Sequence, residues 1–270
     1  MPSDTFETLI VERTDGIVHV TMNRPHRKNA ASDTMWGELL QVFREIDASP
    51  TDRVLVLTGA DGDFCSGADV GGMDESASGA GEVVARPHQL TAMRRITDIC
   101  LTLNRLRQPT IAKVRGVAVG AGMNMALSCD LIVADETARF SEIFARRGLS
   151  IDFGGSFLLP RRVGLHKAKE LALLADIIDA KEAESIGLLN RLVPSAELDA
   201  AVDDWAKRLA AGPPIALTMT KRLLNNSLNV TLEEALDDEG LSQTVNFGTA
   251  DTAEAMRAFI EKREPDFQGR

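Results

Sequence analysis

The chain has no tyrosine, and aromatic side chains make up only 4% of its 270 residues. That scarcity excludes a platform of exposed rings for stacking nucleic-acid bases. Basic charge is short as well: 30 Lys and Arg against 40 Asp and Glu leave a net charge of −10, which opposes cation-driven binding to a phosphate backbone. The runs at 145–147 and 160–162 read as solvated charge. Cysteine is limited to Cys65, Cys100 and Cys129, an odd count without CxxC spacing, which excludes a disulfide framework and a thiolate metal site and leaves buried thiols. No apolar run reaches the roughly 20 residues of a membrane span, and residues 1–10 lack the basic start and apolar centre of a signal peptide. The expectation is a cytoplasmic protein with neither a membrane nor a nucleic-acid partner.

Hydrophobic residues, at 44%, suffice for a full core. Two β-branched stretches around Thr14-Asp15-Gly16 predict a hairpin. Ser32 followed by Met35, Leu39, Leu40, Phe43 and Ile46 predicts a capped amphipathic helix. Buried strands follow at 53–59, at 110–120 and at 131–135, with a helix after Gly120, so the order strand, helix, strand argues for an α/β core with parallel strands. The glycine-rich stretch 71–81 reads as a mobile surface loop, a possible lid, leading into a helix from about Arg86 to Leu106. From Lys167 onward the pattern is mainly helical, broken at Gly212-Pro213-Pro214. Residues 1–197 are expected to form the core with the site, and 198–270 a helical region that packs back or onto a partner subunit.

Two glycine turns carry the chemistry, "GDFCSGADVGGM" at 62–73 and "VGAGMNMALSCD" at 119–130. A turn that opens a helix gathers unpaired N–H groups and the positive end of the helix dipole, which suits an anion. The second turn lacks the third small residue of a dinucleotide fingerprint, holding Met125 there, and Asp135 is too near for a ribose reader. No GK[ST] is present, which excludes a P-loop. If both turns face one point, their N–H groups form an oxyanion hole for a thioester enolate, each donor being worth roughly 10² to 10³ in rate.

The blocks "MNRPHRKNAAS", "FCSGADV", "QPTIAKVRGVAVGAGMNMALSCDLIVADETARFS", "GGSFLLPRRVG", "DAKEAESIGLLNRLVP" and "AFIEKREPDF" resemble the enoyl-CoA hydratase/isomerase (crotonase) family from about Thr8 to Phe267. The resemblance implies an α/β spiral of ββα units, a C-terminal helical oligomerisation region giving a homotrimer or a dimer of trimers, an acyl-CoA substrate, and no redox or metal cofactor. Carried onto this chain, the oxyanion donors are the backbone N–H groups of Ala68 and Ala121. Ser66, Ala68, Asp69, Val70, Gly71 and Gly120 flank the thioester and pantetheine, while Arg24 and Lys28 match positions near the CoA phosphates and adenine.

Water-adding members of the family use two glutamates. Their places here are Asn124 and Phe144, so both hydratase acids are missing. Glu142, the nearest acid, stands where a non-catalytic side chain is expected. Asp152, in "LSIDFGGS", matches the Asp of family isomerases and of a hydrolytic dehalogenase, and apolar neighbours favour its protonated form; the competing role is to cap the helix after Gly154. A dehalogenase would need a second base, for which His88 is the one available histidine, while His19, His26 and His166 read as structural or solvated. The sequence thus predicts an enoyl-CoA isomerase with Asp152 as its single base, Asn124 as an uncharged polar wall or hydrogen-bond partner, and Phe144 beside it among the substrate-binding residues. The alternatives are a hydratase acting on 2-enoyl-CoA and a non-catalytic acyl-CoA binding protein.

Overall fold

The computed structural model describes residues 6–69 and 88–270. The expected hairpin opens it: β1 (Leu9–Thr14) pairs antiparallel with β2 (Ile17–Met22), and Asp15 and Gly16 take the positive φ angles, 52° and 79°, that a tight turn between twisted strands requires. Ser32 caps α1 (Asp33–Ala48) as predicted, its hydroxyl accepting from the Met35 N–H at 3.3 Å. After β3 (Val54–Gly59) the next described helix, α2, covers Gln89–Asn104, a narrower span than the sequence suggested. The lid expected at 71–81 lies outside the described residues.

The stretch 110–120, read from sequence as one strand, is two. β4 (Thr110–Val114) lies in a six-stranded sheet and β5 (Val117–Val119) in a three-stranded one. Gly116 makes the corner at φ 51°, where a β-carbon would stand 2.2 Å from the Gly62 carbonyl oxygen. The same division recurs after α3 (Ala121–Ser128), when β6 (Leu131–Asp135) joins the large sheet and β7 (Arg139–Ser141) the small one. Helices α4 (Gly155–Val163) and α5 (Leu165–Leu174) lead to β8 (Ile178–Asp179), then α6 (Ala180–Ser185) and β9 (Arg191–Val193). The large sheet runs β1-β2-β3-β4-β6-β9 and the small one β5-β7-β8. Single bridges Ala31–Ala68 and Cys65–Ala118 continue the small sheet toward the N-terminus. This is the spiral of ββα turns.

Beyond the opening hairpin the large sheet is parallel, and both of its faces are buried, as such sheets require. Leu55, Leu57, Ala112 and Ile132 face the main core with Leu39 and Phe43 of α1, while Val54, Val56, Ile111 and Val133 face α7 (Leu198–Ala210) through Leu198, Ala201, Val202 and Ala206. The helical stretch from 198 therefore begins with a helix that covers the sheet. It continues as α8 (Pro214–Asn226), α9 (Leu232–Phe247) and α10 (Ala250–Glu261). All three cysteines are buried free thiols. Among the described residues no helix is long and apolar enough to cross a membrane.

Candidate active site

The two glycine turns meet because the strands feeding them are hydrogen-bonded side by side. The Cys65 N–H donates to Val117 O at 2.8 Å, and the Val119 N–H donates to Cys65 O at 3.0 Å. Past these bonds the chains leave the sheet as Gly67, at φ 97°, and Gly120, at φ 57°. Gly67 approaches so closely that a β-carbon would lie 3.0 Å from Val119 O and 3.7 Å from the Ala121 nitrogen. Gly122 is tighter still, with the Cys65 carbonyl oxygen 2.2 Å from where its β-carbon would be. The Asp69 N–H is spent on Ala31 O at 3.0 Å and that of Gly120 on Ser141 O at 2.8 Å. Among the described residues the N–H groups of Ala68 and Ala121 have no acceptor, so two free donors stand on adjoining turns, one of them at the head of α3.

Around this point Phe144 forms an apolar wall, its ring 3.6 Å from where a Gly120 β-carbon would be. Asn124, one turn into α3, is fully buried. Its side-chain amide donates to Glu142 Oε2 at 3.2 Å and to the backbone carbonyl of Asp152 at 2.9 Å. Gly155 must lack a side chain for this to happen, since its β-carbon would sit 2.4 Å from the Asn124 amide nitrogen. The 149–154 loop is bent by Phe153 and Gly154, at φ 46° and 78°, and the Cys100 thiol on α2 donates to Phe153 O at 3.5 Å.

Asp152 does not cap α4. Gly154 is the N-cap, without a side-chain bond, and Asp152 Oδ1 is buried without a partner. Burial pushes its carboxyl up to about 6. Glu142 is driven further, to about 8, chiefly by burial and in addition by the Asp152 charge, against the opposing bond from Asn124. Sequence reasoning set Glu142 aside; the structure puts it at the end of β7, next to the Asn124 side chain. The signal available was its parallel register with the Gly120 turn, Val119 pairing with Ser141.

The other predicted positions divide. Ser66 ties the turn to the 24–31 segment, its N–H donating to Lys28 O at 3.0 Å and its hydroxyl to Arg27 O at 3.2 Å. Arg24 is engaged inside the chain, paired with Asp69 at 2.8 Å and donating to Ala30 O. Lys28 is exposed, at 3.7 Å from Asp63. Val70 and Gly71 lie outside the described residues. His88 is an exposed cap of α2, its Nδ1 accepting from the Leu90 N–H at 3.2 Å. Among the described residues no cluster of three or more His, Cys, Asp or Glu could hold a metal ion.

The family model described as enoyl-CoA hydratase/isomerase matches residues 12–270. The chain belongs to the enoyl-CoA hydratase/isomerase family. Among relatives, it is 33% identical to the 1,2-epoxyphenylacetyl-CoA isomerase of Escherichia coli (strain K12), across 94% of this chain and 96% of that one. Among solved structures, it is similar to an enoyl-CoA hydratase from Bacillus anthracis, with a TM-score of 0.89 and 31% identity over 98% of this chain and 100% of the other. An enoyl-CoA hydratase/isomerase from Cupriavidus metallidurans CH34 superposes with a TM-score of 0.88 and 31% identity, over 99% and 98% of the two chains. The expected crotonase-like spiral is thereby shown, and the chain is an enzyme of this enoyl-CoA hydratase/isomerase family.

Proposed function

We propose that the protein is an enoyl-CoA isomerase that moves a double bond in an acyl-CoA thioester, from 3-enoyl to 2-enoyl or in a ring-bearing analogue. One observation carries this reading: of the two acids that meet at Asn124, Asp152 is partly open and Glu142 is sealed, while the two hydratase positions hold Asn124 and Phe144. The thioester oxygen accepts from the Ala68 and Ala121 N–H groups. Asp152, ionised, takes a proton from the α-carbon; the electron pair moves into the enolate held by the two donors. The protonated Asp152 then returns the proton to the γ-carbon as the enolate collapses, so base and thioester end as they began. A carboxyl raised to about 6 suits both halves of the cycle. Lys28, exposed beside the first turn, is assigned to the CoA phosphates, and Arg24 to holding that turn through Asp69. The chain is further proposed to assemble as a homotrimer or a dimer of trimers, which the exposed apolar side chains of α8–α10 support.

A second reading, hydration of a 2-enoyl thioester, is favoured by Glu142 standing near Asp152, since two carboxyls can share a water. A paired assay separates them. Wild-type enzyme is expected to convert 3-enoyl-CoA to 2-enoyl-CoA with negligible hydration, and Asp152→Asn to lose about 10²- to 10⁴-fold in isomerisation while still binding CoA. Brisk hydration that survives the substitution would sink the single-base reading. Full turnover without Asp152 would sink any role for it.

A further inference from the structure

We infer that Glu142 is a positioning residue that works as a neutral acid: it holds the Asn124 amide, and that amide holds the backbone of Asp152 in place beside the two oxyanion donors. The inference rests on the single-base reading above and adds to it a residue with no contact to substrate.

Three buried oxygens at this spot have no hydrogen-bond partner: Asn124 Oδ1, Glu142 Oε1 and Asp152 Oδ1. The orientation of Asn124 is fixed, because the Asp152 carbonyl can only accept, so the NH2 end must face it. Both amide hydrogens are then committed, one to Asp152 O and one to Glu142 Oε2. With both carboxyls ionised the cluster would hold two negative charges and no donor for three acceptors, and among the described residues no cation pairs with either acid. Two such charges side by side, one of them fully buried, are disfavoured at neutral pH. One proton removes the excess charge and adds a donor to a cluster that has none to spare, and it belongs on Glu142, which is fully buried, rather than on the partly open Asp152. The ionisable groups facing Glu142 from neighbouring elements are Asp152 on the 149–154 loop and, behind it, Cys100 on α2, whose thiol burial keeps neutral. Arg146, on its own segment, is exposed and paired with Asp176.

When Glu142 ionises, near pH 8, its charge repels ionised Asp152 and the enolate alike. Activity should therefore rise as Asp152 ionises near pH 6 and fall again near pH 8. The test is the rate of 3-enoyl-CoA isomerisation between about pH 5 and 10 for wild type, Glu142→Gln and Glu142→Ala. The Gln variant keeps an acceptor for Asn124 but cannot ionise, so its alkaline limb is expected to vanish. The Ala variant releases Asn124 and is expected to lose on the order of 10²-fold in kcat with KM little changed, a loss that Gln largely restores. An alkaline limb that survives in Glu142→Gln, or an Ala variant as active as wild type, overturns the inference. A readout free of turnover accompanies these assays: the infrared spectrum should show a carboxylic-acid C=O band at neutral pH that titrates near pH 8 and is missing from Glu142→Gln. Absence of the band in wild type also overturns the inference. A protein silent on 3-enoyl thioesters with the band intact overturns the isomerase reading and upholds a neutral Glu142.

Discussion

Gly122 has no room for a side chain, because the Cys65 carbonyl stands 2.2 Å from where its β-carbon would be. Its α-carbon packs on the Cys65 carbonyl, the contact that brings the second turn against the first. Gly122→Ala should force the two apart, costing about 1–3 kcal/mol of stability by overpacking. It should also cost much of one oxyanion donor, worth on the order of 10²-fold in turnover. A variant with wild-type kcat would mean that the turns are set by something else. Buried acids give a second prediction at this scale. Folding raises Glu142 from 4.5 to about 8 and Asp152 from 3.8 to about 6, so the folded state binds more protons than the unfolded one between those values. Their contribution is complete below the unfolded values and is lost as pH rises through about 6 and then about 8. His19, lowered chiefly by burial, acts in the opposite sense near its own range. The wild-type minus Glu142→Gln difference in urea stability isolates Glu142. It should shrink steadily between about pH 5 and 8; a flat difference would place Glu142 in water. The placing of Asp152 near Asn124 was legible from its place in a block of residues. That of Glu142 was not, because it depends on burial and on Asn124 from another element.

At the scale of elements, patterning identified the hairpin, the Ser32 cap and the buried strands, because each depends on residues a few positions apart. It failed at 110–120, where a stretch rich in Val, Ile and Ala reads as one strand and hides the Gly116 corner that sends β4 and β5 to different sheets. The corner exists because Gly116 packs on the Gly62 carbonyl, a contact across more than fifty residues. The fastening of α8 is equally non-local. Lys221 reaches Asp130 at 2.7 Å and Gln108 O at 3.0 Å, while Asp130 also accepts from the Thr110 N–H at 2.8 Å. Lys221 is nine-tenths buried, so this pair is better shielded than the surface bridges of α10. Lys221→Met should cost about 1–3 kcal/mol, since it strips a charged partner from Asp130. The loss should appear in hydrogen exchange as faster opening of α8–α10, with the β3 and β4 amides unchanged. Uniform acceleration through the sheet would show that the helices and the sheet unfold as one unit.

At the scale of the whole molecule, the distribution of apolar surface is uneven. α8–α10 and their connections expose Leu224, Leu228, Leu232, Leu241, Phe247 and Phe259, and α9 buries only Ser242. Apolar side chains exposed to this degree on one helical region favour a contact with another protein surface, which the proposed oligomer supplies. Periodicity made these helices legible as helices, yet said nothing of what covers them; in the proposed oligomer the covering groups come from another copy. Phe259 at 83% and Ile260 at 78% exposure are the most open of the set. The wild-type protein should sediment as three or six copies of its 29.2 kDa chain. Replacing Phe259 and Ile260 together by serine should shift it toward the single chain, because each buried apolar side chain of this size contributes about 1.5–3 kcal/mol per contact and a closed ring repeats the contact in every subunit. The double variant should also lose thermal stability on dilution, where wild type does not. A wild-type monomer would remove the need for these side chains to be covered by a second copy. An unshifted double variant would move the contact to the Leu224–Leu241 side of the helical region.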